Sequence, residues 1–371
     1  MSTPYPTLQL ADLETWPAEQ IGVGLLGFPV SHSLSPVIHN AALAELARSD
    51  ASFAAWRYAK FEIAPADLAH ALRLAHARGF RGLNITIPHK EAVFALAESA
   101  DAFTRAACAG NTLIRTPTGW RLSNTDGGGL TDALRAELGL ELRGRDVVLL
   151  GAGGAARATA VQCLQDGARS LWIGNRGRER LDALLAHLAP LAGATPVHGF
   201  QFERTDPALP AGALVLNATA AGLAKDGGAP IDLHAFPRPA AVYEMTYNPP
   251  VTALLRDAAA LGLPHANGLG MLVHQGARSL SLWTGRPVSS DVMMRALLVA
   301  RGEARPLSTR SARLRSSRRG FSPRAPLSSA RASAVFSTSA SSASRGASRS
   351  SRPARIAGAA GRSPGTTTSR S

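Results

Sequence analysis

A two-part α/β fold is predicted by three observations. Strand-length apolar runs alternate with helix-length stretches from residue 21 onward. The run RDVVLL leads straight into Gly151-Ala-Gly153-Gly154-Ala-Ala156 and then a helix, the arrangement that opens a dinucleotide-binding half. The first 300 residues also carry no net charge: of 40 Lys plus Arg and 26 Asp plus Glu, residues 301–371 hold 15 and one, leaving 25 of each. With 45% hydrophobic residues, the chain has ample material for buried cores.

The elements follow in order. Residues 1–20 read as a polar leader with prolines at 4, 6 and 17, and IGVGLLG at 21–27 is the first strand. After SHSLSP, the segment VIHNAALAELA reads as a helix, with Ser35 as its N-cap and Pro36 as its first residue. A strand around FAAWRYAKF precedes PADLAHALRLAHARG, whose Leu68, Leu72 and Ala75 share a helical face. The strand LNITI is expected to pass into a helix from about Pro88, and NTLIRTPTGWRLSN at 111–124 reads as a hairpin turning at Thr118-Gly119. TDGGGLTDALRAEL then opens another helix. A second series begins at Asp146: VVLL, the glycine turn and helix, LWIGN, a helix from about Arg178 to Leu188, and strands ALVLNAT and AVYEMTY. Two further helices lie beyond Asn267, and pattern alone assigns them to neither half.

Composition narrows the function classes. The net charge of +14 resides in the tail, which also holds 19 Ser and lacks apolar periodicity; residues 303–371 are expected to be a disordered Arg/Ser-rich tail. Weak, salt-dependent binding to an acidic surface and an out-of-frame extension are both open for it, while residues 1–300 have no basic footprint for nucleic acid. Cys108 and Cys163 form no CxxC, no metal site is expected, and a reducing, cytoplasmic setting fits. No run is long enough to span a bilayer, and no membrane partner is expected. Monomer and homodimer are both open.

Chemistry concentrates at NITIPHK, residues 84–90. It holds one of only three lysines, the others being Lys60 and Lys225. An ammonium can release and recover a proton where a guanidinium does not, so Lys90 suits general acid–base work; a solvated lysine on a helical turn is the alternative. In the glycine turn, Gly151 permits a tight bend, Gly153 lets the backbone approach a pyrophosphate, and Ala156 allows close helix packing. Strand LWIGN ends at Asn175-Arg176, 25 positions beyond Gly151, with Arg178 and Arg180 behind it. Arginine at that place favours NADP over NAD, because a guanidinium clamps the extra phosphate.

Four separated segments, GFPVSHSLSPVIHN (27–40), GLNITIPHKEAV (82–93), GNTL (110–113) and SNTDGGG (123–129), together resemble the shikimate dehydrogenase family. GAGGAARA (151–158), NAT (217–219), YEMTY (243–247) and NGLGMLVHQG (267–276) extend the resemblance over roughly residues 21–300. It implies an N-terminal α/β substrate-binding domain at 21–126, completed by helices of 268–302, and a Rossmann NADP-binding domain at 127–267. It also implies reversible NADPH-dependent reduction of 3-dehydroshikimate to shikimate, with Lys90 and Asp126 as the catalytic pair. Ser33 and Ser35 match the positions that hold the substrate carboxylate. Asn84, Thr86, Asn111, Asp126 and Gln275 match those that bind its hydroxyls, and Tyr247 matches another contact. Gly151, Ala152, Gly153, Gly154, Ala155, Asn175, Arg176 and Arg180 match the cofactor-phosphate segment, and Met245 and Gly268 the nicotinamide lining.

Read singly, several of these residues also fit plain structural roles: capping for Ser35 and Asp126, a strand's polar face for Asn84 and Thr86, a solvated helix position for Gln275. The sequence departs from the family where Gly177 replaces a hydroxyl residue and where ACAG precedes Asn111 in place of a GAV-like run. Two alternatives stay in view: a quinate/shikimate dehydrogenase using NAD, and a non-enzymatic basic-tailed binding protein.

Overall fold

The structure is a computed structural model that describes residues 5–203, 209–221 and 228–304. Lys225 and nearly all of the Arg/Ser-rich tail lie outside the described residues. Strands β1 (Thr7–Leu8), β2 (Ile21–Gly27), β3 (Trp56–Glu62), β4 (Gly82–Ile85), β5 (Ser99–Ala100), β6 (Thr112–Arg115) and β7 (Trp120–Ser123) form one sheet in the order β1-β3-β2-β4-β6-β7-β5. β6 runs antiparallel to β4 and β7, as the hairpin demands, and the remaining pairs are parallel. The hairpin turn closes through Thr116 N–H to Gly119 O at 3.0 Å.

Strands β8 (Asp146–Leu150), β9 (Ser170–Asn175), β10 (Val197–Gln201), β11 (Leu214–Asn217), β12 (Ala241–Glu244) and β13 (His265–Ala266) form a second sheet, parallel throughout, in the order β10-β9-β8-β11-β12-β13. Counted within this sheet the order is 3-2-1-4-5-6, that of the doubly wound dinucleotide fold, whose ligand crevice opens where the winding reverses. Here that point lies between β8 and β11, at the glycine turn and Asn217.

The helices are α1 (Leu10–Glu14), α2 (Ser35–Ser49), α3 (Leu68–Ala77), α4 (Ala102–Ala107), α5 (Asp126–Ala133), α6 (Gly154–Gln165), α7 (Arg178–Leu188), α8 (Ala253–Ala260), α9 (Leu269–Thr284) and α10 (Ser290–Ala300). Each sheet is covered on both faces. Val23, Ile38, Leu43, Tyr58, Val273, Leu280 and Leu297 share one core, so α9 and α10 pack with α2 on the first sheet. That settles the placement of the two last helices. The opposite face of the first sheet buries Phe61, Leu72, Phe80 and Leu83 together with Leu13 and Trp16. Residues 7–16, read from sequence as part of a polar leader, are thus built into the fold: β1 pairs with β3, and Leu13 is fully buried.

Two local expectations change. No α-helix begins at Pro88; residues 87–91 form turns, and a short 3-10 segment follows at Ala92–Leu96. The Lys90 carbonyl accepts from Gly110 N–H at 3.1 Å instead of serving a helical ladder, which ties the turn to the strand before the hairpin. The N-cap of α2 is Leu34, with Ser35 and Pro36 inside the first turn. Ser33 Oγ accepts from the Ser35 N–H at 3.3 Å, so the local capping bond falls to Ser33.

Candidate active site

The ends of β4 and β7, the start of β6 and the starts of α5 and α6 converge on Lys90. The turn after β4 is anchored by His89, buried, whose ring bonds Ile63 O at 2.8 Å; burial pushes its pKa down and keeps it neutral. This anchor places the next residue, Lys90, with Nζ 2.6 Å from Asp126 Oδ2. The two side chains are only 18% and 6% exposed, so the pair is held with little solvent screening.

Asp126 is the first residue of α5, and its carboxylate turns away from the helix's own N–H groups. One oxygen takes Lys90; the other accepts from Asn111 Nδ2 at 2.8 Å. Asn124 Oδ1 accepts the Asp126 N–H at 2.9 Å and does the capping instead. Asn111 Oδ1 accepts from Thr125 N–H at 2.8 Å, and its amide also lies 3.2 Å from Gln275 Oε1. Gln275, half-buried on α9, is therefore turned into the cluster and not into solvent.

Asn84 is buried and hydrogen-bonded through both amide atoms. Its amide donates to Asn111 O at 3.1 Å and to Ser279 Oγ at 3.0 Å, while its Oδ1 accepts from Tyr58 Oη at 2.9 Å. Thr86, two residues on, is half-buried, and its hydroxyl has no hydrogen bond among the described residues. Ser33 and Ser35 face each other with Oγ atoms 3.2 Å apart at the start of α2. The Tyr247 hydroxyl lies against Ser33 and the Leu34 backbone, and burial raises its pKa. These residues form one continuous polar wall from Ser33 to Lys90.

The glycine turn completes the other side. Gly151 adopts φ +114°, a conformation L residues rarely hold, with the Ala218 backbone 3.2 Å from where a Cβ would stand. Ala152 is buried, and Gly154 and Ala155 begin α6, whose N-terminus at Gly153 has no side-chain cap. In front of Gly153 nothing lies within 4 Å of a built Cβ. An open space before uncapped helix N–H donors fits a dinucleotide pyrophosphate. The same turn touches the lysine segment: a Cβ on Gly154 would stand 3.3 Å from Lys90 Cβ.

At the end of β9, Asn175 Nδ2 donates to Gly177 O at 2.8 Å and shapes the turn into α7. Arg176 and Arg180 are exposed, and neither side chain has a partner among the described residues. Arg178 differs, since its Nε bonds Asp182 Oδ2 at 2.9 Å, one helical turn away. Met245 and Gly268 sit together, with Met245 O in the space a Cβ on Gly268 would take, so any larger residue there displaces the Met245 segment.

Sequence reading did not single out Tyr58, Thr112, Thr125, Ser279 or Glu244. Ser279 was reachable, one helical turn after Gln275 and on the same face. Glu244 was not: it is fully buried, accepts from Asn217 Nδ2 at 2.8 Å and Thr252 Oγ1 at 3.1 Å, and desolvation raises its pKa. It joins the ends of β11 and β12 just before Met245.

Residues 25–113 match the family model described as the shikimate dehydrogenase substrate binding domain, and residues 268–298 match that of the shikimate 5'-dehydrogenase C-terminal domain. An NADP(+) shikimate dehydrogenase from Symbiobacterium thermophilum is 41% identical over 289 residues, covering 75% of this chain and 94% of its own. The chain belongs to the shikimate dehydrogenase family. Among solved structures, the Thermus thermophilus shikimate 5-dehydrogenase in complex with NADP(H) and shikimate has a TM-score of 0.65 at 32% identity, covering 77% of this chain and 100% of that one. A quinate dehydrogenase from Corynebacterium glutamicum in complex with NAD has the same TM-score at 28% identity, covering 76% and 99%. The family's likeness spans both sheets, in keeping with segments quoted from either half of the sequence.

Proposed function

We propose that this protein is an NADP-dependent shikimate dehydrogenase, reversibly reducing 3-dehydroshikimate to shikimate in the pathway to aromatic amino acids. The observation that carries the reading is the Lys90–Asp126 pair, 2.6 Å apart and shielded, with the glycine turn packed against it.

NADPH, when bound, supplies the hydride for the carbonyl carbon. The chain's own residues do the rest. Lys90 as ammonium donates a proton to the oxygen that becomes a hydroxyl, and as amine takes it back in the reverse direction. Asp126 fixes the Lys90 Nζ and, through Asn111, is itself held in place. Ser33, Ser35 and Tyr247 bind the carboxylate end; Asn84, Thr86, Asn111 and Gln275 present hydroxyl and amide groups to the ring hydroxyls. Gly151, Ala152, Gly153, Gly154 and Ala155 cradle the pyrophosphate. Asn175, Arg176 and Arg180 take the adenosine phosphate, the two arginines being free to do so, and Met245 and Gly268 line the nicotinamide.

Residues 21–126 with α9 and α10 serve as the substrate-binding and catalytic domain, and 127–267 as the cofactor domain. Two free cysteines, Cys108 half-buried and Cys163 buried, support a cytoplasmic setting. Among the described residues no helix is long and apolar enough to cross a membrane.

A second reading, quinate oxidation with NAD, is favoured by the likeness to the quinate dehydrogenase. Initial rates of NADP⁺ and NAD⁺ reduction with shikimate and quinate separate the two. We expect shikimate with NADP⁺ to give the highest kcat/KM; a preference for quinate with NAD⁺ reverses the assignment.

A further inference from the structure

Behind Ser33 and Ser35 stands a buried side chain that the mechanism above does not use. Tyr58, on β3, is 2% exposed, and its ring stacks on His39 of α2 with centroids 4.0 Å apart and planes at 17°. Its hydroxyl donates to Asn84 Oδ1 at 2.9 Å and lies close to the Ser35 side chain. His39 approaches the same serine from below, its Nδ1 bonded to Ser35 O at 2.9 Å. The ring therefore donates from Nδ1, which leaves Nε2 as an acceptor, buried near Gly276 with no hydrogen bond among the described residues.

One phenol thus stands between two groups on different elements, bonded to Asn84 on β4 and close to Ser35 at the start of α2. Ser33 and Ser35 bond each other on one side of the phenol, and on the other side a chain runs from Tyr58 to Asn84 and on through the Asn84 amide to Asn111 O. In a buried chain of this kind each bond orients the next, and the spacing of the end groups is set by the middle member.

We propose that Tyr58 is a positioning residue for substrate binding, its hydroxyl fixing Asn84 while its ring, stacked on His39, backs the start of α2 that carries Ser35, so that the two stand at the separation the bound acid requires. This rests on the reading of the site as a shikimate site. Among the described residues Tyr58 has no direct hydrogen bond to Lys90, Asp126 or the glycine turn, so its action falls first on substrate affinity.

The test is Tyr58→Phe, which keeps the stacked ring and removes only the hydroxyl. A KM for shikimate raised about tenfold is expected, the size of one buried hydrogen bond, with kcat and the KM for NADP⁺ within about twofold of wild type. A matched control separates positioning from loss of stability. Asn40 bonds the Tyr58 backbone on both sides, Nδ2 to Tyr58 O and Oδ1 from Tyr58 N–H, each at 2.9 Å, and does not reach the hydroxyl. Asn40→Ala should lower the unfolding midpoint and leave the shikimate KM in place. A second variant, His39→Phe, frees Ser35 from its other side and should shift the shikimate KM in the same direction.

An unchanged shikimate KM in Tyr58→Phe, an equal rise in Asn40→Ala, or a fall in kcat with both KM values unmoved overturns the assignment. The parent reading is checked apart from it: wild-type turnover of shikimate with NADP⁺, and its loss in Lys90→Ala. With both of those observed, a failed Tyr58 test removes the Tyr58 role alone.

Discussion

The two sides of the cleft are built on different principles. On the first-sheet side, Asn84, Asn111, Thr125, Asp126 and Ser279 bind one another through side chains, all of them buried. On the second, the glycine turn relies on backbone: Gly151 at φ +114°, an uncapped helix N-terminus at Gly153, and arginines standing free in solvent. The difference teaches where each function is vulnerable. Substrate recognition depends on exact side-chain atoms locked before binding, whereas cofactor recognition depends on the chain path and on long side chains that order only when a phosphate arrives.

The sharpest way to break the comparison is at Lys90. Lys90→Ala should reduce kcat about 10²- to 10⁴-fold, the span of general acid–base catalysis, with a smaller change in substrate affinity. Steady-state NADP⁺ reduction measures both, and equal turnover in the variant defeats the proton-transfer role.

The next effect is one of pH on the substrate side. Burial holds His39 at a pKa of about 4, against about 6.5 for a free histidine. The unfolded chain therefore takes up the proton first as pH falls. Stability from this residue is complete above pH 6.5 and declines by about 3 kcal/mol on the way to pH 4. Denaturant titrations across that window should show the decline, and His39→Phe should flatten it relative to wild type.

On the cofactor side, Arg176→Ala should raise the KM for NADP⁺ about 10- to 100-fold and leave that for NAD⁺ unchanged, as expected for loss of a charge-assisted phosphate contact. A parallel loss with both cofactors would place Arg176 away from the extra phosphate.

The smallest effect sharpens the contrast from within. Cys108 closes α4 at φ +47°, the one non-glycine residue with positive φ among the described residues. It lies in the ACAG run that departs from the family's GAV-like pattern, so here a backbone-governed position sits inside the side-chain-governed half. Relief of the left-handed conformation, about 1–2 kcal/mol, outweighs glycine's entropic penalty of about 0.5–1 kcal/mol. Cys108→Gly should therefore raise the unfolding midpoint slightly, by about 0.5–1 kcal/mol of stability in thermal melts.

How much was legible beforehand varied with the kind of residue. The glycine turn and α7, expected from about Arg178 to Leu188 and found at those residues, follow from local chemistry: glycine spacing, a strand's apolar run, a helical period. The helix expected at Pro88 failed because a long-range bond, Gly110 N–H to the Lys90 carbonyl, competed with the local ladder. Ser35 missed the N-cap by a single residue, since Leu34 holds it, which is inside the margin at which helix ends are assigned. Lys60, one of the two lysines left aside in favour of Lys90, is almost fully buried and bonds Ser31 O at 2.6 Å.

What the sequence by itself determined was the alternation of strands and helices, the dinucleotide turn, and the set of residue types available for acid–base and carboxylate chemistry, because each depends on near neighbours or on composition. Only the tertiary structure decided that α9 and α10 cover the first sheet, that Asp126 faces Lys90 instead of capping α5, and that Tyr58 reaches Asn84 beside the start of α2. Those contacts join residues from about 20 to more than 200 positions apart. They are chosen by which buried polar groups find partners when the sheets close, a condition that no local pattern contains.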